Sequence, residues 1–204
     1  NSNWGVDLIV KDFFKNKKDG IYIDVGCHHP IINNNTQILS SIGWRGINID
    51  MNQTSIDMFN VLRKGDKNIC AAISNESKEA TQYLDHDFSP VNSLEKKFSD
   101  TVSKEISFNR HLERKIHTYK FSQIIEAQNI KDTQIDFINI DAEAHDFEVL
   151  EGIDLNIYKA KLICIEMLDF ENKINEKKFQ HYLTKYNYNL IKIIGPNGIF
   201  ELKN

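Results

Sequence analysis

Cysteine is scarce and shows no pairing pattern. Cys27, Cys70 and Cys164 are odd in number and widely separated, and no two stand in a CxxC. A disulfide framework and a zinc site are excluded on that count, and free thiols in a reducing compartment are expected. Cys70 in "NICAAI" and Cys164 in "LICIEM" sit within apolar runs and should be buried. Also missing is any apolar run near the ~18 residues that a membrane-spanning helix needs. The opening "NSNWGVDLIVKDFF" has neither the basic start nor the long apolar middle of a secretory signal. Its first residue is not Met, which leaves a removed leader open; the expected location is cytoplasmic. Positive charge is not in surplus: the net charge is −4. Bulk electrostatics therefore do not draw the chain onto nucleic acid or an anionic membrane. Finally, the glycine-rich phosphate loops GxGxxG and GxxxxGK[ST] are absent, which argues against a nicotinamide-binding fold and against a P-loop.

What is present is a soluble globular pattern. The 204 residues are 41% hydrophobic and 26% charged, enough for one domain with a sizeable core. No internal repeat or low-complexity linker divides them. Short apolar runs alternate with amphipathic ones. Strands are expected at Ile21–Val25, Gly46–Asp50, Asn68–Ser74, Gln134–Asp141 and Lys161–Leu168. Their nearly continuous hydrophobicity suits strands covered on both faces. Helices are expected over "NNNTQILSSIG", over "QTSIDMFNVLRKG" with a Thr or Ser cap, and over "SQIIEAQNI". Strand–helix alternation implies a parallel sheet with right-handed crossovers. At the C-terminus, "YNLIKII" and "GIFELK" are joined only by Gly195–Asn197, too short for a crossover, so they form an antiparallel hairpin. The fold class is thus α/β and Rossmann-like, mostly parallel, closed by that hairpin. A polar tract at about 75–132 reads as an insertion on the functional edge of a single domain.

Ligands of open α/β sheets bind outside the carboxyl ends of the strands. The strand ends here carry Asp24 with Gly26, then Asp50, Ser74, Asp141 with Glu143, and Glu166. Four of the five bear a carboxylate, where a phosphate-binding edge would offer backbone N–H groups. Such an edge suits a ligand with a cationic part and vicinal hydroxyls. S-adenosylmethionine has both. Asp24 and Gly26 would face its methionyl end, and Asp50 is placed like the acid that grips a ribose in dinucleotide folds. The alternatives are a plain strand-end turn and a solvated turn acid.

The stretches "YIDVGCHHP…NNNT…GWRGINID" and "IDFINIDAEAHDFEVLEGID" resemble FkbM-type S-adenosylmethionine-dependent methyltransferases over about Gly20 to Asp154. The family pattern is an "IDVGAN.P" turn, an "S-N-T" helix start, "GW.G..IEP" and "IDF..IDVEG.E..VL.G". The resemblance implies the class I methyltransferase fold with a seven-stranded sheet. It also implies a sugar, sugar phosphate or other small polar metabolite as acceptor. Cys27-His28-His29, Asp50 and Ala144-His145-Asp146 depart from the pattern.

On these grounds the cofactor contacts are expected from Asp24, Gly26, Cys27, His28, Asn35, Thr36, Asp50 and Ser74. For Asn35 and Thr36, helix capping is the competing role. Asp141, Glu143, His145 or His29 would take the hydroxyl proton in an O-methylation. Asp141, Glu143 and Glu166 are alternatively ligands for Mg²⁺ or Mn²⁺, the competing role being acids at a helix N-terminus. Adjacent His28 and His29 chelate poorly from one element. His86, His111, His117 and His181 read as surface residues. Trp44 and Arg45 are expected to pack and cap the turn before the second strand. Arg110, Arg114 and Lys115, with His111 and His117, form either a solvated face or a lid that reads an anionic acceptor. The rival functions are a non-catalytic interaction scaffold and, more remotely, a nicotinamide oxidoreductase.

Overall fold

Runs of isoleucine and valine become strands because β-branched side chains pack well on a pleated surface covered from both sides. The computed structural model describes residues 2–15, 17–106, 112–128, 130 and 134–203. Its elements are, in order, α1 (Val6–Phe14), β1 (Ile21–Val25), α2 (Gln37–Ser41), β2 (Arg45–Asp50), α3 (Gln53–Leu62) and β3 (Lys67–Cys70). There follow β4 (Ala72–Ile73), β5 (Lys78–Leu84), α4 (Lys96–Ile106), β6 (Leu112–Tyr119) and α5 (Phe121–Ala127). The chain ends with β7 (Phe137–Ile140), α6 (Asp146–Gly152), β8 (Leu162–Glu166), α7 (Glu176–Thr184), β9 (Tyr188–Ile194) and β10 (Asn197–Leu202).

Seven of these strands make one sheet in the order β3-β2-β1-β7-β8-β10-β9. Strands β1, β2, β3, β7 and β8 run parallel. Strand β10 is antiparallel to both neighbours, so the C-terminal hairpin is as expected, its second strand lying against β8. This is the Rossmann-like methyltransferase architecture. The chain builds outward from β1 through β2 to β3 and then returns to β7 on the other side of β1. The strand order reverses between β1 and β7, which is where such sheets hold ligands.

Each face of the sheet has its own core. One buries Ile23, Val25, Ile47, Ile49, Ile138, Ile140, Ile163 and Ile165 against Phe121 and Ile125 of α5, Val149 and Leu150 of α6, and Phe179 and Leu183 of α7. The other packs Tyr22, Phe137, Leu162, Cys164 and Ile199 under Val6 and Val10 of α1, Leu39 of α2, and Trp44. Trp44 is fully buried and its indole Nε1 donates to the Lys17 carbonyl at 2.7 Å. Arg45 Nη1 donates to the Trp44 carbonyl at 3.2 Å, so the pair packs and caps the turn into β2 as expected.

Several elements differ from the expectation. The third strand is not continuous: Ala71 N donates to Asp50 O at 2.9 Å at the end of β3, and the chain then leaves the main sheet. Ala72–Ile73 joins a separate three-stranded sheet, order β4-β6-β5. Two of those strands come from the tract read only as polar. Their alternation is weak because much of each strand is exposed, so hydrophobic period alone does not mark them. Helix α2 is five residues long, because "NNNT" is drawn into side-chain bonding described below. Helix α3 is capped by Asn52, whose side chain accepts from Thr54 N, and not by Thr or Ser. Cys27 and Cys164 are buried free thiols, but Cys70 is exposed, since β3 is an edge strand and Cys70 its last residue. His86, His117 and His181 are exposed as expected; His111 lies outside the described residues. Among the described residues, no helix is long and apolar enough to cross a membrane.

Candidate active site

Two rows of residues run across the sheet at its carboxyl end. In the lower row, strand register aligns Asn68, Asn48, Asp24 and Asn139 on β3, β2, β1 and β7. Asn139 Nδ2 donates to Asp24 Oδ1 at 2.9 Å, and Asn48 Nδ2 donates to Asn68 Oδ1 at 2.8 Å. The second oxygen of Asp24 accepts from Thr36 Oγ1 at 2.7 Å and from Asn34 Nδ2 at 3.2 Å. Asn35 Nδ2 donates to Asn139 Oδ1 at 2.9 Å. Arg63, itself buried, completes the layer by donating to Thr36 Oγ1 at 2.8 Å, Asn34 Oδ1 at 2.7 Å and Tyr22 Oη at 2.9 Å. Asp24 is therefore fully buried with both oxygens occupied. It organises the "NNNT" loop and offers little to a ligand. Thr36 bonds to it without capping α2, and is not part of the cavity wall.

The upper row lies two residues further on. Val25 pairs with Ile49 and with Ile140, so Gly26 follows between Asp50 and Asp141, with Glu166 beyond. Gly26 has φ 75, and a Cβ there would lie 1.7 Å from the Asp141 carbonyl oxygen. Only glycine lets β1 turn against the end of β7. Asp50 accepts from His28 N and Asn52 N, each at 2.8 Å, through different oxygens. Burial pushes its carboxyl up to about 6, against those two donors and with help from the charge of Asp24. One lone pair on each oxygen remains for a hydroxyl.

A cavity of about 390 Å³ opens over this row. Its wall includes Asp24, Gly26, Cys27, His28, His29, Asn35, Asp50, Asp141, Glu143 and His145. From the tract at about 75–132 come Gln82, Phe88, Asn92 and Leu94. The His28 ring stacks on Phe88 at 4.5 Å and 15°. Cys27 packs with Ile56 and Phe59, and burial pushes its thiol well up, so it serves as a wall and not as a nucleophile. Two buried polar atoms of the wall residues, His28 Nε2 and Gln82 Oε1, have no protein partner. Such atoms ask for a polar ligand.

The segment after β7 gathers the acids. Asp141 and Glu143 both line the cavity. Burial, then Asp24 and Asp50, push the Asp141 carboxyl up to about 6. Burial and the charges of Asp141 and Asp146 raise Glu143 well above the usual carboxylate range. Glu143 and Ala144 are both left-handed, φ 53 and 68. This turn carries Glu143 to the cavity wall and brings Asp146, at the start of α6, back to Asp141. One oxygen each from Asp141, Asp146 and Glu166 lies within 4.8 Å of the others. The structure thus groups Asp146, not Glu143, with the other two acids.

The histidines are committed elsewhere. His145 Nδ1 is 2.8 Å from Glu95 Oε1 and its Nε2 is 3.0 Å from Ser74 Oγ. That bond holds the Glu95 carboxyl below its ordinary range, in keeping with a donating Nδ1–H. Ser74 is buried behind His145 and is not part of the cavity wall. His29 Nδ1 accepts from Ile31 N at 3.0 Å and Ile32 N at 2.9 Å, which leaves its other nitrogen protonated. Neither ring is free to act as a base. Arg114 pairs with Asp87 and Lys115 Nζ donates to Thr81 Oγ1 at 2.8 Å; with His117 they are absent from the cavity wall. Arg110 and His111 lie outside the described residues.

Sequence reasoning passed over Arg63, Gln82, Phe88 and Glu95. The lower row did leave a signal: "NID" occurs both at Asn48–Asp50 and at Asn139–Asp141, placing an Asn two residues before each strand-end acid.

Fold and site together define a Rossmann-like methyltransferase, with its cavity at the switch point of the sheet. The methyltransferase FkbM domain matches residues 24–190, and the chain belongs to that family. No curated protein matches it.

Proposed function

We propose that the chain uses S-adenosylmethionine to methylate a hydroxyl on a small polar acceptor of the sugar class. The observation that carries this is the row Asp50–Gly26–Asp141 at the floor of a switch-point cavity, beneath buried polar atoms that lack protein partners. The residues fit that donor: carboxylates for a diol and a cationic centre, and His28 Nε2 and Gln82 Oε1 for polar groups of a base or amino acid. Bound there, the donor supplies a methyl on a sulfonium. Asp50 accepts hydrogen bonds from the ribose hydroxyls through its two remaining lone pairs. Asn35, held by Asn139, and the backbone of Gly26 to His28 form the wall of the methionyl end.

Glu143 takes the acceptor's proton, with Asp141 beside it. Neither carboxylate accepts a side-chain hydrogen bond among the described residues, and both line the cavity. The bound donor would supply the methyl for the acceptor oxygen, and the hydroxyl proton would go to that carboxylate and then to water. Catalysis is otherwise positioning. The tract at about 75–132 acts as the lid over a single domain, its Phe88, Asn92 and Leu94 closing the cavity. Arg114 and Lys115 give no support to an anionic acceptor, so a neutral sugar hydroxyl is preferred.

The test is a thermal melt with S-adenosylhomocysteine. At ~100 times its Kd the folded state gains ~2.7 kcal/mol. For a domain of this size that raises Tm by roughly 5–10 °C. No shift in a folded sample, with NAD run alongside, removes the donor reading and leaves an interaction scaffold.

A further inference from the structure

We propose that Asp141, Asp146 and Glu166 form a binding site for a hard divalent cation, of the Mg²⁺, Mn²⁺ or Ca²⁺ class, in the floor of the cavity. The site stands on three observations. First, the topology puts the three carboxylates together from separate elements: Asp141 just after β7, Glu166 at the end of the adjacent β8, and Asp146 at the head of α6. Second, one oxygen of each lies within 4.8 Å of the others. Metal–oxygen bonds of ~2.1 to ~2.4 Å place opposite ligands roughly 4.2–4.8 Å apart, so the cluster has the span of such a site.

Third, two of the acids are buried with an oxygen that nothing satisfies. Asp146 is fully buried and Glu166 is 8% exposed, and Asp146 Oδ2 and Glu166 Oε2 have no hydrogen-bond partner. Asp146 Oδ1 is by contrast engaged, accepting from Ala142 N at 2.7 Å. Among the described residues, no Lys, Arg or His forms an ion pair with any of the three. Buried carboxylates are neutralised by a proton or by a counter-ion, and three oxygens converging from separate elements suit the ion. An all-carboxylate donor set selects a hard cation over zinc or copper. Asp141 alone of the three lines the cavity, so the ion would sit behind the wall and reach the acceptor's side through it.

This inference does not rest on the donor, and its test omits it. The full chain is titrated with MnCl₂ and free Mn²⁺ is followed by electron paramagnetic resonance. One site is expected, with Asp146→Asn and Glu166→Gln each weakening it by at least about tenfold. On the wild-type protein, Mn²⁺ should broaden the methyl NMR signals of Ile140 and Ile165, which precede two of the ligands. That measurement decides the matter if the variants do not fold. No Mn²⁺ uptake at millimolar metal overturns the proposal. So does uptake that survives both substitutions but is lost in Glu148→Gln, which would place the ion at the neighbouring Glu95, His145 and Glu148. A melt that responds to S-adenosylhomocysteine while Mn²⁺ fails to bind would separate the two readings.

Discussion

Replacing Asp24 with Asn keeps the shape of the side chain and removes its charge, and the structure says what must follow. Oδ1 can remain an acceptor for Asn139 Nδ2. The other position becomes an NH₂ that faces Asn34 Nδ2, a donor 3.2 Å from the present oxygen, and Thr36 Oγ1 at 2.7 Å. The Asn34 hydrogen bond to a buried carboxylate is lost, worth ~1.5–3 kcal/mol, and the Thr36 bond loses its charge as the hydroxyl turns to Asn34 Oδ1, 2.9 Å away, and accepts from the new amide. Arg63, which reaches the same Thr36 and Asn34, is left in a buried layer without that negative charge. The terms are coupled and do not add in full, so a loss of about 3–5 kcal/mol is expected. At ~2–4 °C per kcal/mol, Tm should fall by roughly 6–20 °C.

Calorimetry reads the stability and titration with S-adenosylhomocysteine at low temperature reads the site. Because Asp24 is fully buried and both its oxygens are held by protein donors, the folded variant should keep donor affinity within about tenfold, the residual loss coming from a loosened "NNNT" loop. The opposite pattern, an unchanged Tm with binding abolished, would show that Asp24 contacts the ligand directly and would refute the role assigned to it here.

Asp50 should give the converse signature. Asp50→Asn sets an NH₂ against either His28 N or Asn52 N and so costs ~1.5–3 kcal/mol, less than Asp24→Asn, but it weakens S-adenosylhomocysteine binding, and the wild-type Kd should rise as pH falls through about 6, by on the order of tenfold at about pH 5. The carboxyl, held up by burial and by Asp24, must be ionised to accept the diol; Asp141, also pushed up to about 6, Cys27, His28 and Cys70 are the other titratable groups around it, so the profile is compared with that of Asp50→Asn. In the unliganded protein the sign is reversed. A raised carboxyl binds its proton more tightly folded than unfolded, so its contribution to stability is full below about pH 4 and is lost as pH rises through about 6. Glu143→Gln should lower kcat by ~10²–10⁴ with donor affinity retained, read as S-adenosylhomocysteine released in a screen of sugars. A matching loss of binding would remove Glu143 from the proton-transfer role. Ala144→Gly relieves a left-handed alanine at φ 68 and should raise stability by about 0.5–1 kcal/mol. A fall in Tm would show that the turn is unstrained.

Much of the framework could be read before folding because it depends on local signals. Continuous isoleucine runs mark two-sided strands, and a Gly-Pro-Asn link between two of them admits only a hairpin. Four of the five strand ends were likewise legible, since each follows its run directly; the third was not, because the chain leaves the main sheet after Cys70 and carries Ser74 away from the edge. What could not be read were relations across the sheet. Nothing local in "YIDVG" says that Asp24 faces Asn139 from 115 positions away, or that Arg63 reaches under α2 to the same layer. The strands β5 and β6 escaped for a related reason: with polar side chains on much of both faces, they are recognised only through each other. "FNRHLERKIH" then looks like a charge run, though its described part is mostly a strand whose arginine is tied to Asp87.

The two rows also explain why acids sit at these strand ends. The side chain of Asp24, inside β1, is enclosed by its neighbours and must be satisfied by protein, so it is balanced by two asparagines, a threonine and an arginine. Two residues later the neighbouring strand ends open into a cavity, and Gly26 removes the side chain that would fill it. Asp50 and Asp141 then flank an empty position at which protein supplies too few donors for the carboxylates present. That shortfall is a property of the register, since shifting β1 by two residues would put Asp24 in the gap and Gly26 outside it. The same chemistry, a carboxylate at a strand end, is structural in one row and available in the next. The boundary between them is the single residue Val25.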